Sequence, residues 1–279
     1  MASEIWHERL RGVGYLAEES FSLMVHLAVT LNRPLLLEGP AGSGKTYLAQ
    51  ALAQALRRPL VRLSCYEGID ASQALYDWNY QRQLAALAQK IDVDLYGEQF
   101  LMERPLLRAL REPDGAVLLI DEVDRADEGF EAMLLEFLAD YQLTIPEQGT
   151  IRSRVTPVTV LTSNRQRPLS DALRRRCLYL YVDWPEAARE RDIVQWHVSE
   201  ISPDLVESIV NGARCMRQLG LLKPPGMAET VDWARAQKAM GFPGWDVAWV
   251  RATLGCVIKD HLDFSTVLPN LDQVVAGEP

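Results

Sequence analysis

The 279-residue sequence is 48% hydrophobic and 24% charged, with 38 acidic against 29 basic residues and a formal charge of −9. A chain of that size and balance buries a full core, as one large domain plus a smaller one, and its acidity speaks against general binding to nucleic acid. The four cysteines (Cys65, Cys177, Cys215, Cys256) form no CxxC pair and have no histidine partner at ligand spacing, so they read as reduced, mostly buried thiols rather than a zinc site or disulfide framework.

Residues 1–12 have no apolar signal core, and no apolar run approaches membrane length, so a soluble, cytoplasmic protein without a membrane span is expected. Apolar residues at helical spacing (Leu16, Phe21, Met24, Val25, Ala28, Leu31) predict a helix over 15–31. Strand-like and helix-like segments then alternate. "PLLLE" (34–38) reads as a strand, "KTYLAQALAQALR" (45–57) as an alanine-rich helix and "PLVRLSC" (59–65) as a second strand. "AVLLID" (116–121), "PVTVLTS" (157–163) and "CLYLYVD" (177–183) are further continuous apolar runs, the pattern of a parallel sheet covered on both faces. After "DWPE" (183–186) strand signals stop and helices are expected near 186–200, 203–219, 227–240 and 245–260. Ser202 and Pro203 read as an N-cap and first-turn pair, and Gly220 and Gly241 as stops. A domain boundary is placed near residue 185, and the tail from about 266 is expected to be loosely ordered.

Four motifs carry chemistry. "GPAGSGKT" (39–46) fits G-x-x-x-x-G-K-[ST], in which a tight loop aims backbone N–H groups inward ahead of a helix N-terminus. Gly39, Pro40, Ala41, Gly42, Ser43 and Gly44 of the loop, with Lys45, Thr46 and Tyr47 at the helix start, are candidate phosphate-binding residues, with Lys45 on the β- and γ-phosphates and the Thr46 hydroxyl on Mg²⁺. "AVLLIDEVDRAD" (116–127) sets Asp121 at the carboxyl edge of the sheet to hold the Mg²⁺ shell, followed by Glu122 as general base. "VTVLTSN" ends in Asn164, whose amide can bridge the γ-phosphate and an attacking water. The three arginines of "DALRRRC" (171–177) are either a solvated face or the source of a guanidinium for the γ-phosphate of a neighbouring subunit.

In order and spacing these motifs resemble the AAA+ ATPases, a ring-forming P-loop family, over almost the whole chain. "LLLEGPAGSGKT", "EAMLLEFLADYQLTIPEQGTI" and "VLTSN" are similar to the MoxR branch. "CYEGIDASQALYDWNYQRQL" and "KPPGMAETVDWARA" resemble the CoxD-type MoxR proteins encoded beside carbon monoxide dehydrogenases and related molybdenum hydroxylases. The resemblance implies an α/β fold, a three-layer αβα P-loop ATPase domain (1–185) with a parallel sheet, followed by a small all-α lid (186–279). Pore-facing insertions are implied near 66–104 and 143–155. It makes Asn164 the sensor, Arg176 the finger with Arg175 as a rival, and Ser64 a polar switch for the catalytic glutamate. The aromatics Tyr66, Tyr76, Trp78, Tyr80, Tyr96 and Phe100 either face the pore as a group or pack in the core singly. The branch's second-sensor arginine is missing: Ala228 stands in its place, and Lys223 either substitutes or is a solvated residue before the "PP" turn.

The function implied is an ATP-driven, Mg²⁺-dependent remodelling chaperone forming a homo-oligomeric ring, a hexamer, with a VWA-domain partner. Its client would be a metalloenzyme such as a carbon monoxide dehydrogenase-like molybdenum enzyme. The competing readings are an activator of Rubisco or nitric-oxide reductase, and a nucleic-acid-stimulated motor supported by the basic residues of "RQRPLSDALRRR".

Overall fold

The computed structural model describes residues 2–89, 93–241 and 244–277. Contacts divide the chain into two units, one of residues 1–13, 17–39 and 45–181, the other of residues 14–16, 40–44 and 182–279.

In the first unit the strands are β1 (Leu35–Glu38), β2 (Leu60–Ser64), β3 (Tyr76–Trp78), β4 (Leu101–Glu103), β5 (Val117–Asp121), β6 (Gln142–Ile145), β7 (Gly149–Arg152), β8 (Val158–Ser163) and β9 (Leu178–Tyr181). The five apolar runs read from the sequence join in one parallel sheet of order β2-β5-β8-β1-β9. Every residue of β1 and β5 is buried, so helices cover both faces of the sheet centre. The helices are α1 (Ala2–Gly12), α2 (Glu19–Thr30), α3 (Lys45–Leu56), α4 (Ala71–Ala74), α5 (Tyr80–Ala88), α6 (Pro105–Arg111), α7 (Glu128–Asp140) and α8 (Asp171–Arg176). Asp127 and Ser170 start α7 and α8 by accepting the Phe130 and Leu173 N–H groups, the usual N-cap device. α1 was not anticipated from the sequence, although its Trp6 and Leu10 are buried at i, i+4 spacing.

The stretch 66–104, of which residues 90–92 lie outside the described residues, holds α4, an antiparallel β3–β4 pair and α5 between those strands. Its aromatics divide. Trp78 and Phe100 are buried, whereas Tyr66, Tyr80 and Tyr96 are exposed, so core packing accounts for only part of the set. β6 and β7 form an antiparallel hairpin over the implied insertion near 143–155.

The second unit holds α9 (Ala187–His197), α10 (Pro203–Gln218), α11 (Met227–Met240), α12 (Val247–Thr253), α13 (His261–Val267) and α14 (Leu271–Ala276). α10 opens on Ser202, whose hydroxyl accepts from the Leu205 N–H, and Gly241 ends α11 at φ +59°. Its core centres on Trp233, wholly buried among Trp245 and Trp249, with its indole N–H donated to the Thr253 hydroxyl (2.8 Å). The helix expected over 245–260 stops at Thr253 and tightens into a 3₁₀ turn over Leu254–Cys256. The tail requires a larger correction. α13 and α14 follow one another to Ala276, and Val267, Leu271 and Val274 are buried in this core. Leu268–Asn270 forms a single 3₁₀ turn between α13 and α14, and Val267, Leu271 and Val274 on either side of it are buried. Val274→Asp should therefore destabilise the helical unit by about 3 kcal/mol or more, the cost of an unpaired buried charge. Tryptophan-monitored urea unfolding checks this; a midpoint equal to wild type means the tail bears no load.

Candidate nucleotide site

In an open parallel sheet the strand C-termini are where ligands bind, and Lys45, Thr46, Asp121, Glu122 and Asn164 lie there. β1 ends at Glu38, and the Gly39 N–H donates to the Ser163 carbonyl at the end of β8 (3.3 Å), which fixes where the glycine loop leaves the sheet. Lys45 and Thr46 open α3. The Lys45 ammonium is buried and donates to the Gly39 carbonyl (2.9 Å). Burial lowers its pKa from the ordinary lysine value, while the carboxylates of Asp124, Asp121 and Glu122 act to raise it.

Asp121, at the end of β5, is the hub. Its Oδ1 accepts from the Thr46 hydroxyl (3.0 Å) and the Thr162 hydroxyl (2.5 Å), and its Oδ2 accepts from Arg62 Nη2 (2.5 Å). The next residue, Glu122, takes the left-handed conformation (φ +54°), uncommon and costly for a side chain with a Cβ. Its N–H donates to the Thr162 hydroxyl (2.9 Å), so one threonine fixes both the Asp121 carboxylate and the backbone that aims Glu122. The Glu122 carboxylate accepts from Asn164 Nδ2 (3.3 Å) and from Arg125 Nη1 (2.9 Å). Buried Asp124 holds the loop after β8 by accepting the Asn164 and Gln166 N–H groups (3.1 and 2.8 Å).

The structure thus brings Lys45, Thr46, Asp121, Glu122 and Asn164 into one connected group. Ser64 sits opposite Asp121 in the β2–β5 register and is exposed, while the Glu122 carboxylate is held by Asn164 and Arg125. Arg175 is exposed and Arg176 half-buried, and no contact joins either to that group among the described residues. Both line a hollow of about 440 Å³ with Asn32, Arg33 and Leu138. Arg33 donates to the Arg175 and Arg176 carbonyls at the end of α8 (2.7 and 3.2 Å), satisfying groups a helix C-terminus leaves unpaired. Arg174, the first of the three arginines, instead pairs with buried Glu38 (2.7 Å).

Residues 40–44 belong to the second unit. Gly42 has φ +77°, and a Cβ there would lie 2.6 Å from the Gly226 Cα, so both conformation and space demand glycine. The Met227 N–H donates to the Gly42 carbonyl (2.9 Å), and the Ala41 carbonyl accepts from the Trp184 indole (3.4 Å). Gly44 has φ +90°, and the buried Ser43 hydroxyl has no hydrogen-bond partner among the described residues. Pro40 lies in the same loop, and Tyr47 follows on α3 with its hydroxyl donated to the Val13 carbonyl (3.5 Å). In this unit Lys223 is exposed and paired with Asp260 (3.2 Å), and Ala228 is exposed in the first turn of α11.

Thr162, Arg62, Arg125 and Asp124 were not singled out from the sequence. Asp124 and Arg125 lie inside the quoted acidic motif, but Thr162 and Arg62 are strand residues whose role comes from register. For Mg²⁺, a hard cation that keeps several waters and takes one or two carboxylates plus phosphate oxygens, the adjoining Thr46 hydroxyl and Asp121 carboxylate are a fitting donor set. No cluster of three or more His, Cys, Asp or Glu able to hold a metal occurs among the described residues. No helix among the described residues is long and apolar enough to cross a membrane.

Three comparisons bear on identity. An uncharacterized protein of Staphylococcus haemolyticus is 28% identical over 191 residues, covering 64% of this chain and 66% of that protein. An uncharacterized protein of Staphylococcus aureus strain USA300 is 26% identical over 247 residues, covering 86% of this chain and 80% of that protein. The match thus spans slightly under two thirds of the length of the first. Among solved structures, a point mutant of Thermotoga maritima RuvB has a TM-score of 0.49 at 20% identity, covering 95% of this chain and 69% of that one. Residues 34–177 match the family described as AAA domain (dynein-related subfamily). That segment exceeds half the chain and takes in four of the five strands of the parallel sheet, so the chain belongs to the dynein-related subfamily of AAA domains, a family of Mg²⁺-dependent ATPases.

Proposed function

We propose that this chain is a MoxR-type AAA+ ATPase that hydrolyses ATP in a homo-oligomeric ring, a hexamer, and uses the cycle to remodel a metalloenzyme client. The observation that carries the hydrolytic part is the pair of bonds made by Thr162, which set Asp121 beside Thr46 and turn Glu122 toward Asn164. Lys45 clamps the β- and γ-phosphates as a point charge, and the loop N–H groups receive the remaining phosphate oxygens. Thr46 and Asp121 would hold Mg²⁺, which neutralises charge on the phosphoryl oxygens. Glu122 accepts the proton of the attacking water, and Asn164 orients that water against the γ-phosphate. The arginine that completes the site comes from the neighbouring subunit, Arg176 or Arg175. Their position on a hollow, without contact to their own chain's Lys45–Asp121 group, supports a role in trans.

The stretches 65–84 and 223–236 support the CoxD-type subgroup, hence maturation of a carbon monoxide dehydrogenase-like molybdenum enzyme with a VWA-domain partner. The exposed Tyr66, Tyr80 and Tyr96 of the 66–104 insertion suit contact with the client across the ring pore. Lys223, already paired with Asp260, lends no support to a substitute second sensor.

Three outcomes test this reading. Lys45→Ala should abolish ATP binding, whereas Glu122→Gln should bind ATP and turn over at least a hundredfold more slowly, within the usual range for loss of a general base. Calorimetry and phosphate release check both, and equal loss of binding in the two variants removes Glu122 from the role of base. Arg176→Ala should lower turnover by about a thousandfold or more with little change in subunit nucleotide affinity. Mixing it with Glu122→Gln should restore part of the activity, because mixed rings contain intact interfaces. If Arg175→Ala is the inactive variant instead, the finger is Arg175. Finally, a VWA-domain partner should stimulate the ATPase and duplex DNA should not; the reverse result identifies a nucleic-acid motor.

A further inference from the structure

Among the described residues, Arg62 is the one cation paired with Asp121 from another strand. β2 and β5 pair in parallel with Arg62 opposite Leu119 and Ser64 opposite Asp121. Alternation along β2 buries Val61 and Leu63 and leaves Arg62 and Ser64 exposed. Two residues of strand rise, about 6.6 Å, separate the Arg62 level from the Asp121 level. An extended arginine spans that distance, and its Nη2 lies 2.5 Å from Asp121 Oδ2.

Both oxygens of Asp121 are therefore engaged, Oδ1 by two hydroxyls and Oδ2 by a guanidinium. The two partners of the ion pair differ in freedom. The Asp121 side chain is 6% exposed and tied to two elements, whereas that of Arg62 is 54% exposed, and no other hydrogen bond holds its guanidinium among the described residues. The aspartate is fixed and the arginine can leave. Arg125 differs, since its pair with Glu122 is local, three residues along the chain, and does not touch Asp121.

We propose that Arg62 is a built-in cationic competitor for Mg²⁺ at Asp121, so that Mg²⁺ loads with nucleotide only as the guanidinium withdraws. The proposal rests on the reading of Asp121 as the carboxylate of the Mg²⁺ shell. A guanidinium stays charged at every physiological pH, so a dication approaching Asp121 meets like charge until Arg62 swings away. When Mg²⁺ departs, Arg62 returns and keeps a buried carboxylate from standing uncompensated, which is costly in a protein interior. Arg62 is in this sense a residue that sets the Mg²⁺ concentration at which the site assembles, not a catalytic residue.

The test uses the full chain and a fluorescent ADP analogue at a fixed, subsaturating concentration, with anisotropy read as Mg²⁺ is titrated. Arg62→Gln should lower the Mg²⁺ midpoint about tenfold, and Arg62→Lys, which keeps the charge and nearly the reach, should stay near wild type. Arg62→Met, which keeps the aliphatic stem, supplies the same comparison if the glutamine variant does not fold. An unchanged or raised midpoint in a folded neutral variant overturns the proposal. Asp121→Asn separates the two readings. If it abolishes the Mg²⁺ dependence while the neutral Arg62 variants show no shift, only the competitor role fails. If Asp121→Asn keeps the wild-type Mg²⁺ dependence, the shell assignment fails and the competitor role falls with it.

Discussion

A carboxylate at the buried end of a strand must be compensated, and in this protein the compensation of Asp121 organises the candidate site. Removing a carboxylate from water without partners costs several kcal/mol. Asp121 meets that demand with Thr46 from the start of α3, Thr162 from β8 and Arg62 from β2. Three elements separated in sequence are thereby held against the end of β5. Thr162 also receives the Glu122 N–H, so the left-handed turn that presents Glu122 is secured by the same hydroxyl that holds Asp121.

Around that hub the acids serve unlike purposes because their surroundings differ. Asp121 is buried and fixed, Glu122 is more exposed and held by Asn164 and Arg125, and Asp124 is buried and used to cap backbone. An acid held by amide and guanidinium hydrogen bonds can be released without unfolding anything; an acid capping backbone N–H groups cannot. Glu122 is thus free to change partners, while Asp124 fixes the loop that carries Asn164.

The helical unit shows the same economy with buried charge. Glu190 is fully buried, and its two oxygens accept from Arg217 (2.6 and 2.9 Å), whose guanidinium also donates to the Pro225 carbonyl and the Thr230 hydroxyl. Such a pair is costly to break rather than a large source of stability. Here it ties α9, α10 and the start of α11 together.

The strands of the parallel sheet were legible because a strand buried on both faces needs a continuous apolar run, and "LLLE", "VLLID" and "VTVLTS" are such runs. The glycine loop, Lys45, Thr46, Asp121 and Glu122 were legible because phosphate chemistry demands fixed local spacing. The tail is expected to be loose because chain ends usually are, while the burial of Leu271 and Val274 depends on a core supplied by distant helices. Sequence by itself determined the fold class and picked out Lys45, Thr46, Asp121, Glu122 and Asn164, since both follow from short-range periodicity and spacing. Tertiary structure alone decided that Arg62 reaches Asp121, that Thr162 governs Glu122 and that Arg33 caps α8. Those contacts arise from strand register and packing between residues 40 to 142 positions apart, a range over which local pattern carries no information.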